Sequence, residues 1–157
     1  MASFKIVGGQ KLSGTVIPQG AKNEALQVIC ATLLSKEKII IQNIPNIIDI
    51  RCLIKLLEGL GVIIHSINRT TYSFEAKNIK LDYLKSVDFQ KNSQKIRGSV
   101  MLIGPLIARF GKAILYPPGG DKIGRRRLDT HLVGLSQLGA KFKLINKKYY
   151  KIDAENL

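Results

Sequence analysis

The segment Gln19-Gly20-Ala21-Lys22-Asn23 places small residues and a lysine where a strand-like stretch gives way to a helical pattern. Small residues let the backbone approach a ligand, and the free N–H groups at a helix N-terminus attract anions. Lys22 adds a full positive charge beside them. The cluster therefore indicates a phosphate-binding junction, and an ordinary turn followed by a solvated lysine is the alternative.

A second cluster is the long loop at 117–129, with the sequence PPGGDKIGRRRLD. It carries Asp121 ahead of three consecutive arginines that end at Arg127. Guanidinium groups bind phosphate or carboxylate through paired hydrogen bonds, and a carboxylic acid among cations can carry a proton. Because a strand-to-helix connection usually needs only about two to six residues, we expect this loop to bind a ligand. A solvated basic turn is the alternative.

Arg97 begins a second apolar helical stretch and so occupies the position that Lys22 and Asn23 occupy in the first. Both stretches thus present a cation from the same structural place. If the two junctions line one cleft, that cleft would receive a doubly anionic substrate. A surface arginine at a helix start is the alternative.

Hydropathy periodicity predicts one set of elements that occurs twice. The first set comprises a mostly apolar, buried helix at 22–34, a strand at 38–42, a helix at 50–60 and a hairpin at 62–75, preceded by strands at 4–7 and 12–17. The second comprises a helix at 97–108, a strand at 112–115, a helix ending at 138–139 and a hairpin at 141–153. This internal repeat of about 75 residues predicts an α/β (α+β) fold of two helix-strand-helix-hairpin units with buried helices covered by sheets.

The charge balance favours anionic partners, since 25 Lys and Arg face 11 Asp and Glu for a formal net charge of +14. The longest apolar run, at 100–108, is far shorter than the roughly 20 residues of a membrane span. The first nine residues lack the apolar core of a signal peptide, so we expect a cytoplasmic protein with no membrane partner. Lysines at 141–151 alternate with apolar residues, as on a solvated strand face, and no nucleic-acid-binding motif is apparent, so we expect no nucleic-acid partner.

The residues able to bind a metal are few and scattered. Cys30 and Cys52 lie in apolar helical patterns without Cys-x-x-Cys spacing, and His65 and His131 are far apart in sequence. We therefore expect buried free thiols and no metal site.

Six segments, taken together and in order, closely resemble the UDP-N-acetylglucosamine 1-carboxyvinyltransferase family, the enolpyruvyl transferases that open peptidoglycan synthesis. They are QKLSG at 10–14, GAKN at 20–23, LG at 60–61, RGS at 97–99, GPLIARFG at 104–111 and PGGDKIG at 118–124. The resemblance is colinear over essentially the whole chain. The shikimate-pathway enolpyruvyl transferase has a related fold but lacks this Pro-Gly-Gly pattern.

The resemblance implies transfer of the enolpyruvyl group of phosphoenolpyruvate to the 3′-hydroxyl of UDP-N-acetylglucosamine, with release of phosphate and with no metal or organic cofactor. By position it also implies the residues that act on each substrate. The catalytic residue is Asp121; the phosphoenolpyruvate-binding residues are Lys22, Asn23 and Arg126; the UDP-N-acetylglucosamine-binding residues are Arg97, Arg126, Arg127, Leu128, Asp129 and Thr130.

The chain departs from the family at one loop residue and in length. Most members carry Cys where Asp121 stands, and that thiolate is what the epoxide antibiotic fosfomycin alkylates. A protonated carboxyl can still donate a proton, so the resemblance implies a fosfomycin-insensitive enzyme. Members are also more than twice as long, with two domains of three repeats each.

The resemblance therefore implies an inside-out α/β barrel that is only partly present. Residues 1–21 would be opening strands of one domain, and residues 22–157 two of the three repeats of the other. A missing C-terminal polypeptide is then a possible partner. A non-catalytic module that binds a nucleotide sugar or phosphorylated metabolite is the alternative function, and a basic nucleic-acid-binding domain is the third.

Overall fold

The computed structural model describes residues 3–120 and 127–155. Within them, five α-helices are α1 (Lys22–Ala31), α2 (Ile48–Gly59), α3 (Val87–Ser93), α4 (Ile103–Phe110) and α5 (Asp129–Gln137). The strands are β1 (Lys38–Ile41), β2 (Ile63–Asn68), β3 (Thr71–Glu75), β4 (Lys112–Leu115), β5 (Lys141–Ile145) and β6 (Tyr149–Asp153). Three 3₁₀-helices lie at Thr32–Leu34, Leu81–Lys85 and Arg97–Leu102.

The two units share one sheet topology, which confirms the predicted repeat. Each unit forms a three-stranded antiparallel sheet, in the order β1-β3-β2 in the first and β4-β6-β5 in the second. In both, the strand that follows the first helix pairs with the last strand of the hairpin. The described residues thus form two separate sheets and close no barrel.

The second helix of each unit ends in the same way. Gly61 and Gly139 have φ of +92° and +103°, values that glycine adopts without steric cost. The following amide, of Val62 or Ala140, donates to the carbonyl five residues earlier at 3.0 Å in both units. The repeat is therefore reproduced at the level of single hydrogen bonds.

The predicted helix at 97–108 is divided into a 3₁₀-helix at Arg97–Leu102 and α4. Pro105 explains the division, because it has no N–H to donate to the carbonyl of Met101 and its ring would clash there. As the third residue of α4, Pro105 lies in the first turn, where no such donor is needed.

Helix α1 is buried on one face, whereas its mostly apolar sequence predicts burial on most sides. Ile29 and Cys30 are buried, whereas Val28 is 42% exposed and the nearby Leu34 is 53% exposed. The other described elements of the chain cover only one side of α1. Burial raises the pKa of the Cys30 thiol, which confirms the expected buried free thiol there, while Cys52 is half-buried.

The expected strands at 4–7 and 12–17 do not form, and that prediction is wrong for this structure. Residues 3–20 are irregular, and Phe4, Leu12 and Val16 are each at least 90% exposed. A strand needs a neighbour to satisfy its backbone hydrogen bonds. Within the described residues this segment has no strand beside it.

Arg109 joins the two units at the edge of their shared hydrophobic core. Its Nη1 donates to the carbonyl oxygens of Leu33 at 2.6 Å and Ser35 at 3.1 Å, and the guanidinium lies 4.8 Å from the centroid of the Phe110 ring. A cation placed where a helix ends also complements the helix dipole. Arg109 thus ties α4 to the end of the helical stretch that begins with α1.

Replacing Arg109 by alanine is expected to lower the free energy of unfolding by about 1–3 kcal/mol, because two half-buried carbonyls lose a charged donor. Urea unfolding followed by circular dichroism measures the loss. Arg69→Ala, in the exposed β2–β3 turn, is the control and should change stability by less than about 0.5 kcal/mol. Equal midpoints for the two variants would contradict the role given to Arg109.

Candidate anion-binding cleft

A cleft of about 700 Å³ lies where the first unit meets the second. Its lining combines cationic, amide and apolar side chains: Lys22, Asn23, Leu26, Gln27, Ile48, Asp49, Lys95, Ile96, Arg97, Gly98, Met101 and Gly120. This volume lies within the range of small-molecule sites in proteins. The cleft is thus large enough for a metabolite.

Close packing between the first helices of the two units brings their N-termini together. Gly98 lies against Leu26 of α1, and a Cβ at Gly98 would be 3.0 Å from the Leu26 Cδ1 atom. Because no side chain separates the two elements there, Lys22 and Arg97 line the same cleft. The two junctions predicted from sequence therefore face one site.

Two further glycines let the loops beside the cleft pack directly on backbone. A Cβ at Gly20 would lie 1.8 Å from the carbonyl oxygen of Asn43, and one at Gly119 would lie 1.7 Å from that of Gln94. No side chain fits at either distance. Gly20 thus fixes the approach to Lys22, and Gly119 holds the Pro-Gly-Gly turn against the residues that lead into Arg97.

Three helix N-termini contribute to the cleft, those of α1, α2 and the 3₁₀-helix at Arg97–Leu102. Their N-cap residues, Ala21, Ile47 and Ile96, are all described and provide no side-chain hydrogen bond to the first turn. First-turn N–H groups without a side-chain cap carry partial positive charge that favours an anion.

The charged side chains of the described lining sum to a net positive charge. Lys22, Lys95 and Arg97 are cations, and Asp49 is an anion. Lys22 Nζ lies 2.9 Å from Asp49 Oδ2, and Lys95 Nζ donates to Asn92 Oδ1 at 3.0 Å. The arrangement can attract a ligand with more than one anionic group.

Arg97 links the cleft to the start of α5. Its Nη2 lies 3.4 Å from the carbonyl oxygen of Arg127, and Arg127 Nε donates to Asp129 Oδ2 at 2.6 Å. Leu128 is the N-cap of α5, and Asp129 and Thr130 open that helix with exposed side chains. Among the described residues, the cleft lining does not include Leu128, Asp129 or Thr130.

The structure therefore brings together Lys22, Asn23 and Arg97 in the cleft and places the backbone carbonyl of Arg127 beside Arg97. Asp121 and Arg126 lie outside the described residues. The assignment of each residue to a substrate stays a prediction.

Sequence reasoning missed Asp49 and Lys95 as cleft residues. A topological signal could have found Asp49: in a helix-strand-helix unit the two helices start at the same end, so the first turn of α2 lies near the first turn of α1. Lys95 stands two residues before Arg97, within the segment that Gly119 contacts. Its place in the cleft follows from that backbone contact, which no sequence pattern predicts.

At 3–120 and 127–155, no group of three or more His, Cys, Asp or Glu side chains is arranged to hold a metal ion. In the same ranges, no helix has the length and apolarity needed to cross a bilayer.

The sequence is similar to those of bacterial enzymes. The UDP-N-acetylglucosamine 1-carboxyvinyltransferase of Bacteroides thetaiotaomicron is 55% identical over 158 aligned residues, which cover 100% of this chain and 36% of that protein. The enzyme of the same name from Porphyromonas gingivalis is 56% identical over 140 residues, covering 89% of the chain and 32% of the relative. The motif-based resemblance is thus confirmed, and the chain spans about a third of the length of these relatives.

The fold and the family are established by two further comparisons. The crystal structure of the enolpyruvyl transferase NikO from Streptomyces tendae superposes with a TM-score of 0.67 at 23% identity, covering 96% of this chain and 32% of that one. This confirms the expected enolpyruvyl transferase fold, partly present. The family model for EPSP synthase (3-phosphoshikimate 1-carboxyvinyltransferase) matches residues 6–156. The chain therefore belongs to the EPSP synthase family.

Proposed function

We propose that this chain forms the phosphoenolpyruvate- and nucleotide-sugar-binding part of a cytoplasmic enolpyruvyl transferase that acts on UDP-N-acetylglucosamine in peptidoglycan synthesis. The names of the Bacteroides thetaiotaomicron and Porphyromonas gingivalis relatives support the choice of acceptor. The observation that carries the proposal is the cleft at which Lys22, Asn23 and Arg97 converge from equivalent positions of the two units.

The chemistry of the cleft suits these substrates. Phosphoenolpyruvate carries a phosphate and a carboxylate, and the nucleotide sugar carries a diphosphate. Lysine and arginine bind such groups by charge-assisted hydrogen bonds, and the N-termini of α1 and α2, whose first-turn residues line the cleft, add backbone donors. We assign phosphoenolpyruvate to Lys22, Asn23 and Arg126, and the nucleotide sugar to Arg97, Arg126 and residues 127–130.

The proposed reaction is an addition followed by an elimination. The 3′-oxygen of the sugar bonds to C2 of phosphoenolpyruvate while Asp121 delivers a proton to C3. The tetrahedral adduct then loses a proton from C3 as the C2–O bond to phosphate breaks. The products are the enolpyruvyl ether and inorganic phosphate. The proton given to C3 is balanced by the one removed from C3, and the proton that leaves the 3′-hydroxyl as its oxygen bonds to C2 is balanced by the one that the departing phosphate takes up.

We further propose that residues 1–21 belong to a second domain and residues 22–157 supply two repeats of a three-repeat domain. The apolar, exposed side chains at 3–20 support this division, because they have much apolar surface left to bury. On this proposal the active site also needs the part of the enzyme that corresponds to the uncovered length of these relatives, since the match covers about a third of them.

Phosphate release from phosphoenolpyruvate plus UDP-N-acetylglucosamine tests the proposal. The chain is assayed alone and with a separate polypeptide comprising the part of the Bacteroides thetaiotaomicron relative that the match leaves uncovered. We expect release only when both polypeptides and both substrates are present. The control is each polypeptide assayed with the heat-denatured form of the other.

Two other outcomes would argue against this function. Saturable binding of UDP-N-acetylglucosamine without turnover in the folded mixture would favour a non-catalytic binding module. Absence of binding and of turnover, with the mixture shown to be folded, would overturn the proposal.

A further inference from the structure

Asp49 is the one carboxylate in the described lining of the cleft, and it contacts the lysine to which we assign phosphoenolpyruvate. It lies in the first turn of α2, and its Oδ2 is 2.9 Å from Lys22 Nζ across 27 residues of sequence. We propose that Asp49 competes with the substrate's anionic group for Lys22 and thereby sets the affinity of the cleft. This inference rests on the proposed function, because it requires an anionic ligand at Lys22.

The exposure of the pair allows this competition. The Lys22 side chain is 50% exposed and that of Asp49 is 38% exposed, so water reaches both groups. A solvated ion pair contributes little stability and opens readily. Asp49 therefore neutralises the charge of Lys22 in the empty cleft, where Lys95 and Arg97 would otherwise only repel that charge. The ion pair opens when an anionic ligand binds Lys22.

Two opposing effects decide what removal of the Asp49 charge does. A ligand phosphate at Lys22 would lie within several ångströms of the Asp49 carboxylate, and repulsion between a dianion and a unit charge about 6 Å apart weakens binding by about tenfold even in water. Losing the restraint on Lys22 weakens binding by less than about fivefold, the usual limit for an exposed ion pair. The repulsion is the larger effect, so the variant should bind more tightly.

The test is calorimetric titration of the 157-residue chain with phosphoenolpyruvate and, separately, with inorganic phosphate. Asp49→Asn, which keeps the size of the side chain, is expected to bind phosphoenolpyruvate about three- to tenfold more tightly than the unmodified chain. Asp49→Ser serves as a second variant if the first folds poorly, with the same expected direction.

The chain offers a closely matched control in Asp153. Its Oδ2 lies 2.9 Å from Lys151 Nζ, and the two side chains are 36% and 50% exposed, close to the values for Asp49 and Lys22. Asp153 ends β6, and its substitution changes the net charge equally. Asp153→Asn should leave the dissociation constant within about twofold, because its charge is not at the cleft.

The outcomes separate this inference from the proposed function. Unchanged or weaker binding by Asp49→Asn, while the unmodified chain binds and Lys22→Gln does not, overturns the inference alone. Equal tightening by Asp49→Asn and Asp153→Asn also overturns it, because net charge would then explain the gain. Absence of saturable binding by the unmodified chain and by every variant, both alone and in the folded mixture with the complementing polypeptide, overturns both.

Discussion

Asp121→Asn is expected to slow phosphate release by the reconstituted enzyme by about 10²- to 10⁴-fold, the usual contribution of a positioned general acid. Asparagine has the shape of aspartate but no acidic proton to give to C3 of phosphoenolpyruvate. Binding of UDP-N-acetylglucosamine should change little, because the amide keeps the polarity of the loop. The turnover number at saturating substrate is the measurement, with substrate binding measured in parallel.

Asp121→Cys is the informative companion, because a thiol can donate the same proton and also react as a thiolate. This variant should keep turnover within about tenfold of the unmodified enzyme and lose it progressively in fosfomycin. The unmodified enzyme should retain its activity after the same incubation. Time-dependent, irreversible loss in the unmodified enzyme, or turnover by Asp121→Asn above a tenth of normal, would contradict the role of Asp121.

The repeat was predictable because its signals are local. Apolar spacing marks each helix, and a Leu-Gly pair ends the second helix of each unit with a left-handed glycine, Gly61 or Gly139. Cationic helix starts at Lys22 and Arg97 could be read from the same spacing. Their meeting in one cleft follows from the repeat, since equivalent helices in adjacent units pack side by side.

The features that the sequence did not reveal depend on residues far apart in the chain. The expected strands at 4–7 and 12–17 have suitable alternation but no neighbouring strand among the described residues. The exposed side of α1 at Val28 likewise depends on what else covers the helix. Asp49 joins the cleft through an ion pair that spans 27 residues, and its own helical pattern indicates only an ordinary acidic first turn.

Lys22→Gln is expected to weaken phosphoenolpyruvate binding by about 10- to 100-fold, the cost of losing a charged hydrogen-bond donor to an anion. Glutamine keeps part of the stem and a polar end but has no charge. Lys151→Gln is the matched control, since Lys151 is also 50% exposed and also forms an ion pair of 2.9 Å. It should change binding by less than twofold.

The comparison of Lys22→Gln with Arg97→Gln tests which substrate each cation holds. Lys22→Gln should weaken phosphoenolpyruvate more than UDP-N-acetylglucosamine, because Lys22 begins α1 beside Asn23. Arg97→Gln should do the reverse, because Arg97 contacts the carbonyl of Arg127 at the start of α5, where we assign the nucleotide sugar. Dissociation constants for each substrate, measured separately for both variants, give four values. Equal losses in all four would mean that the cations act only through the general field of the cleft, and the residue-by-residue assignment would then be wrong.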